Sequence, residues 1–400
     1  MKRGPRRLRE QRWIMDALIG VVGIDWSWPF TAVILSATCT DIHPDIRIAV
    51  NRIKKFADIS REFSRVGGKS EETAKKEEAS GHFVTAREHY FSAANLYAAA
   101  QWPIWEDHDE TNLALSDRKN HCYAKYITYA AHRIEAVEIP FEGNSLPGYL
   151  HLPHKKRGRM PCTVTINGMD GWKEAASPLY GDKFLERGIA VLTLDGPGQG
   201  ESSIRKIKCT SDNFGRAGKA AIEFLSKHPE IDQERIVSWG VSMGSFWVPQ
   251  IAAYDNRLQA VAVGMVCHEP GMDIAFNEAS PSFKGRYMWM AGYEDEEEFD
   301  QFAQTLNLRE VGPKIQCPIF IAAGEDDELS PIQYTYNFYD QINAPKKLLV
   351  FEGKKHDISG PLVRTKVADW LRDRLDGKPM ESEIIYVDVT GREIKRETSG

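Results

Sequence analysis

Arg235-Ile236-Val237-Ser238-Trp239-Gly240-Val241-Ser242-Met243-Gly244 decides the fold. A short apolar run ends in Gly-x-Ser-x-Gly, the pattern of a strand that turns sharply into a helix with a serine at the apex. The glycines have a steric reason to be there. A serine held in a strained conformation at a tight turn needs neighbours without side chains, so that strand and helix can close up behind it. Small residues also cluster at ordinary turns, so the weight of the pentapeptide depends on whether the chain supplies a base, an acid and an oxyanion hole in a compatible order.

On either side of this stretch the texture is regular. Continuous apolar runs recur at 162–166, 189–194, 235–239, 258–266, 317–323 and 348–351, with helical stretches between most of them. Buried strands alternating with helices indicate an α/β fold, a mostly parallel sheet with helices on both faces. Before the runs, Ile134 to Phe141 and Leu146 to Leu152 alternate apolar and polar residues around Gly143-Asn144, which predicts an antiparallel hairpin at a sheet edge. Residues 1–130 read as a helical N-terminal unit. Its clearest stretch is Thr85 to Tyr97, with small or apolar residues at 86, 90, 93, 94 and 97 on one face. The expected division is therefore a helical domain over 1–130, a catalytic α/β domain over 131–380 and a polar C-terminal tail or added edge strand over 381–400. The Met-, Trp- and Tyr-rich interval 267–312 breaks the rhythm and suits a cap inserted after a strand.

Composition narrows the function classes. Four hundred residues suit an α/β domain of roughly 250 residues plus a second unit. A net charge of -6 supplies no basic footprint for nucleic acid. The six cysteines form no C-x-x-C pair, which argues against structural zinc and for a reducing, cytoplasmic setting. Basic residues precede the apolar run Ala17–Ile24, but Asp16 and Asp25 bracket only eight residues, too short to cross a bilayer. A helix docked on the domain is expected there, with no membrane partner. Trp26, Trp28, Trp102, Trp105, Trp289 and Tyr293 are assigned to the core rather than to a substrate platform.

The remaining requirements are met downstream. The run Pro318–Ala323 leads into Gly324-Glu325-Asp326-Asp327-Glu328, which puts a carboxylate at the C-terminal end of a parallel strand, where such sheets place ligands. The run Leu348–Phe351 leads into Glu352-Gly353-Lys354-Lys355-His356. The order Ser, Asp, His is that of α/β hydrolases. A serine hydroxyl is a weak nucleophile until an imidazole takes its proton, and a buried carboxylate must hold that imidazole in the right tautomer. Ser242, His356 and Asp327 are assigned these roles, with Asp326 as the competing acid, because one position along a strand end reverses the side-chain direction. The oxyanion hole is expected from the backbone N–H groups of Met243 and Met169, the latter in the bend Asn167-Gly168-Met169-Asp170-Gly171. His268 lies just after a strand and could reach the pocket mouth. The glycines of Asp195-Gly196-Pro197-Gly198-Gln199-Gly200-Glu201 lack the spacing of a dinucleotide fingerprint, and no P-loop lysine follows. Neither a nucleotide, another cofactor nor a metal is expected.

With these motifs in hand, the chain resembles a branch of the α/β-hydrolase superfamily. That branch is typified by dihydroxypseudooxynicotine hydrolase, the fungal polyketide-shortening pigment hydrolases and the fermentation-respiration switch protein. The residues that carry the likeness are Gly168-Met169-Asp170, Lys173-Glu174, the Asp195–Glu201 loop, the serine elbow, Gly324-x-x-Asp327-Glu328 and His356. The resemblance implies a serine hydrolase whose N-terminal helices form a lid, often in a homodimer. It implies a small aromatic or polyketide-like carbonyl substrate, cleaved in several members at a carbon–carbon bond beside a ketone. Carboxylesterase or lactonase activity needs the same residues, and some relatives suggest a non-catalytic interaction protein on the same scaffold. The likeness also makes Glu174 a candidate to assist protonation.

Overall fold

Valine, isoleucine, alanine and leucine dominate the runs that form the centre of the sheet, and in the computed structural model these runs are buried on both faces. Residues 5–24, 43–154, 158–176, 182–358 and 361–396 are described. The hairpin predicted at the sheet edge is β1 (Arg133–Phe141) with β2 (Asn144–Leu152). Its turn is Glu142-Gly143, both at positive φ as a type I′ hairpin requires, one residue earlier than the expected break. The central strands are β3 (Met160–Ile166), β4 (Ala190–Leu194), β5 (Ile231–Val241), β6 (Leu258–Gly264), β7 (Ile319–Gly324) and β8 (Lys346–Phe351). They match the six apolar runs one for one. The segment 381–400 adds β9 (Glu383–Val387) and β10 (Glu393–Arg396) at the far edge rather than trailing free. The order is β1-β2-β4-β3-β5-β6-β7-β8-β9-β10, with the seven strands from β4 to β9 mutually parallel and both ends closed by antiparallel pairs.

Alternate residues of one strand feed two separate cores, as the period of two requires. On β6, Val261 and Val263 join the helices Asn213–Lys227 and Met243–Tyr254, together with the 267–312 insertion. Ala260 and Ala262 join the helix Pro361–Leu375 and the N-terminal helices on the opposite face. The N-terminal unit is built on the helices Asp58–Ala79, Phe83–Gln101 and Glu110–Tyr129. The middle helix carries the predicted stripe, but from Tyr90 to Ala100 it is buried all round because it is enclosed by other elements on every side. Cross-helix bonds pin it. Tyr97 Oη donates to Glu71 at 2.6 Å, and Tyr90 and Tyr129 both donate to Glu78. The stretch that includes Ala17–Ile24 forms a docked helix, Arg12–Val22, which buries Met15 and Ile19 and accepts the Phe56 N–H on Asp16. No helix among the described residues is long and apolar enough to cross a membrane. Trp26, Trp28 and Cys39 lie outside the described residues.

Candidate active site

Ser242 sits between β5 and the helix Met243–Tyr254 with φ 53° and ψ −125°, a region L-residues rarely enter. Its neighbours show why the flanking residues are glycines. A Cβ on Gly240 would stand 2.3 Å from the Gly244 carbonyl oxygen, and one on Gly244 would stand 2.3 Å from that of Ile166. The elbow is thus wedged against β3, and the Ser242 N–H is tied to the Gly264 carbonyl at 3.0 Å. Met243 opens the helix, so its N–H belongs to the first turn, where amides lack intrahelical acceptors and the helix dipole favours negative charge.

Ser242 Oγ lies 3.1 Å from His356 Nε2, and His356 Nδ1 lies 2.9 Å from Asp327 Oδ2. The loops after β7 and β8 deliver both partners and are held close together. A Cβ on Gly324 would lie 2.2 Å from the Lys355 carbonyl oxygen, so only glycine permits this approach. Asp327 is buried and accepts the Leu329 and Ser330 N–H groups on Oδ1, while Asp326 is exposed and only its backbone N–H is engaged, with the Lys354 carbonyl. Of the two candidate acids, Asp327 alone meets the imidazole. The His356 N–H also donates to Glu328 at 3.1 Å, a contact that sequence reading did not single out. Burial pushes the imidazole pKa down, but the Asp327 carboxylate, with Glu328 and Asp357 behind it, outweighs burial and leaves it above the ordinary value. With Nδ1–H donated to Asp327, Nε2 presents its lone pair to the serine. Cys267, also unanticipated, lies 4.0 Å from Ser242 Oγ. Its thiol is buried and its pKa strongly raised by that burial, so it lines the site as a neutral group.

The bend carrying Met169 is braced from two directions. Gln199 Nε2 donates to the carbonyls of Asn167 and Gly168 at 3.0 and 2.8 Å. This explains the Asp195–Glu201 loop, whose Asp195 in turn accepts the backbone N–H groups of Lys173 and Glu201. From the other side, the helical unit contributes Trp102 Nε1 to Asp170 Oδ1 at 2.7 Å and Asn95 Oδ1 to Trp172 Nε1 at 2.8 Å. Gly168 packs so closely on the elbow that a Cβ there would lie 2.9 Å from Ser242 Cβ.

Two further candidates are placed elsewhere. Glu174 is fully buried, and its Oε1 binds Lys119 at 2.8 Å and Lys173 at 3.0 Å. Lys173 extends the cluster to Asp195 and Glu201. Burial alone would raise the Glu174 pKa, but the two lysines reverse this and keep it ionised, the opposite of what a proton donor at neutral pH needs. His268 is buried with Nδ1 3.2 Å from Thr335 Oγ1 and its ring against Phe338. Burial pushes its pKa down to about 3, so it stays neutral. Neither residue is within hydrogen-bonding distance of Ser242 Oγ. Lys119, 55 positions from its carboxylate partner, carried no signal in the sequence.

A serine elbow at the C-terminal edge of a mostly parallel sheet, with helices on both faces, defines an α/β hydrolase. Residues 59–288 match the FrsA-like esterases, and the chain belongs to that family. Residues 214–374 also match the acetyl xylan esterases. Among named relatives, alpha/beta hydrolase psoB of Aspergillus fumigatus is 36% identical over 211 residues, 48% of this chain and 46% of its own length. The chain thus spans about half of that relative. The 2,6-dihydropseudooxynicotine hydrolase of Paenarthrobacter nicotinovorans is 28% identical over 76% of this chain and 81% of its own. A crystal structure of the 2,6-dihydroxy-pseudo-oxynicotine hydrolase superposes with a TM-score of 0.76 at 26% identity, covering 88% of this chain and 99% of that one. The protein is an α/β-hydrolase enzyme whose relatives are hydrolases and esterases.

Proposed function

We propose that the chain hydrolyses a small aromatic or polyketide-like carbonyl compound through an acyl-enzyme on Ser242, with His356 as general base and Asp327 as its orienting carboxylate. The observation that carries this reading is the relay of 3.1 and 2.9 Å from Ser242 Oγ through His356 to Asp327 on a strained elbow. As Oγ attacks the carbonyl carbon, Nε2 takes the hydroxyl proton, and the carbonyl oxygen becomes an oxyanion facing the N–H groups of Met243 and Met169. Collapse breaks the bond to the leaving group, which receives the proton from His356. Water then attacks the acyl carbon, again losing a proton to His356, and the serine is released with the acid product.

The bond broken in this reading is carbon–carbon, beside a ketone, with the departing carbanion stabilised by an adjacent carbonyl or phenolic ring. The extent of the likeness to 2,6-dihydroxy-pseudo-oxynicotine hydrolase, which includes the helical N-terminal unit, supports it. That unit serves as the lid, and the functional assembly is a homodimer acting in the cytoplasm. Carboxylester cleavage is the second reading, favoured by the esterase families that match. Turnover of an aryl acetate compared with that of an aryl β-diketone separates them. Ester hydrolysis without diketone cleavage sinks the carbon–carbon reading, and absence of a fluorophosphonate adduct on Ser242 in folded protein sinks both. Glu174 and His268 are given structural roles, holding the lysine cluster and packing on Thr335.

A further inference from the structure

The helix Pro281–Ala291 of the insertion buries two cations two residues apart, and they are treated differently. Lys284 meets Glu296, Asp300 and the Asn277 side-chain oxygen, each within 2.8 Å. Arg286, only 6% exposed, has no such company. Its Nε has no hydrogen-bond partner, and among the described residues no carboxylate is ion-paired with the guanidinium. Asp170 and Asp195 act on it only at longer range. Burying a guanidinium without acceptors is among the costliest arrangements a protein interior can hold, and a fold that could reach Lys284 with two carboxylates offers Arg286 none.

Arg286 lines a cavity with about 400 Å³ of space free of protein atoms, part of it open to solvent. Trp102, Trp172 and Trp289 supply aromatic wall, and Lys119 a second cation. The guanidinium carbon lies 4.9 Å from the Trp289 ring centre, and the Trp289 indole is fixed by Asp107 at 3.0 Å. The wall's carboxylate, Asp170, already accepts the Trp102 indole, and its burial raises its pKa, which weakens its repulsion of an anion. Ser242 does not line the cavity, but Asp170 and Gly171 do, two and three residues along the same bend from Gly168, which packs on Ser242.

We propose that Arg286 is a binding residue for a planar anionic group, a carboxylate borne by an aromatic ligand, with the tryptophans taking the ring and the guanidinium taking the oxygens. The fork of a guanidinium matches a carboxylate bidentately, and an aromatic body suits the walls. The inference deepens the proposed function, and rests on it, only in taking this ligand to be the acidic end of the substrate. Binding itself requires no chemistry at Ser242.

The test is calorimetric titration of the full chain with benzoate, with acetate and inorganic phosphate as separate arms, against Arg286→Met and Arg286→Lys. Saturable benzoate binding is expected, weaker for acetate and phosphate, and reduced on the order of tenfold to a hundredfold in Arg286→Met. Arg286→Lys should fall between, since it keeps the charge and loses the fork. Arg286→Met should also unfold at a higher temperature without ligand, because an unpaired buried charge has been removed. A purely structural arginine would instead leave a destabilised variant. Wild-type protein that takes up no benzoate, or variants that bind it as well as wild type, overturn the proposal, and equal affinity for phosphate overturns its aromatic half. Because benzoate needs no turnover, these outcomes are independent of fluorophosphonate labelling at Ser242, whose failure would count against the hydrolase reading alone.

Discussion

The Asp327–His356 pair and the Lys119–Glu174–Lys173–Asp195–Glu201 cluster are both withdrawn from water, yet they differ in what each charge is left to do. In the cluster, two ammonium groups meet three carboxylates, and Arg205 reaches Glu201 at 2.6 Å, so attraction is satisfied internally. The cluster joins the helix Glu110–Tyr129 to the segments that brace the Met169 bend, and only Glu174 Oε2 lacks a hydrogen-bond partner. At the elbow, one end of the imidazole is fixed by Asp327 and the other faces a hydroxyl on a strained residue. Saturated charges hold a shape, whereas a charge held at one end only can accept a proton at the other. Mutations should separate the two, activity failing first at the elbow and stability first at the cluster.

The largest effect expected is from Ser242→Ala. It should lower kcat by about 10⁶-fold and abolish fluorophosphonate labelling, with cooperative unfolding retained. Residual turnover near wild type would remove Ser242 from the mechanism. Next is Asp327→Asn, with a loss of about 10⁴-fold, against little change for exposed Asp326→Asn. The pH profile adds a sharper readout. The base must be neutral, and the imidazole pKa stands above 6.5, so kcat/KM should climb with pH through a midpoint above 6.5. In Asp327→Asn, burial is no longer outweighed by that carboxylate, and the residual activity should reach its plateau at lower pH. A limb that does not move would mean that some other group titrates.

Glu174→Gln probes the other side of the comparison. It leaves Lys119 and Lys173 facing one another with a neutral amide between them, and removal of one member of a buried ion pair costs about 3–5 kcal/mol. Denaturant titration should show that loss. Any fall in kcat should follow from displacement of the Met169 bend, with the acid limb of the pH profile unmoved. If the limb shifts while stability holds, Glu174 is a proton-transfer group after all.

These contrasts also show why parts of the site were legible in the sequence and parts were not. The runs that became β3 to β8 are continuous and apolar because both faces of the sheet are covered, and the elbow glycines answer to contacts within a few residues of Ser242. Such constraints are local, so the string carries them. Asp327 could not be told from Asp326 because the choice depends on how Gly324 lets the β7 and β8 loops close on each other. Glu174 read as a site residue because its partner Lys119 comes from a helix in another part of the chain. Arg286 gave no signal, since being unpaired is a property of its surroundings. β9 and β10 were open to reading as a tail because edge strands with one exposed face lack a continuous apolar run.

The smallest effect bears on the elbow's own cost. At φ 53° and ψ −125° a residue with a Cβ carries strain of about 1–3 kcal/mol, which glycine relieves. Ser242→Ala keeps the Cβ and Ser242→Gly removes it, and both lack the hydroxyl, so the difference between them isolates backbone strain from chemistry. Ser242→Gly should be the more stable by about 1 kcal/mol in denaturant titration, and may not be less stable if the strain is real. The sign is opposite to that at Glu174, where any change loosens the fold. A site that becomes more stable on losing its functional side chain is held in place by the rest of the protein, and here the restraint is the wedge of Gly240 and Gly244 against β3.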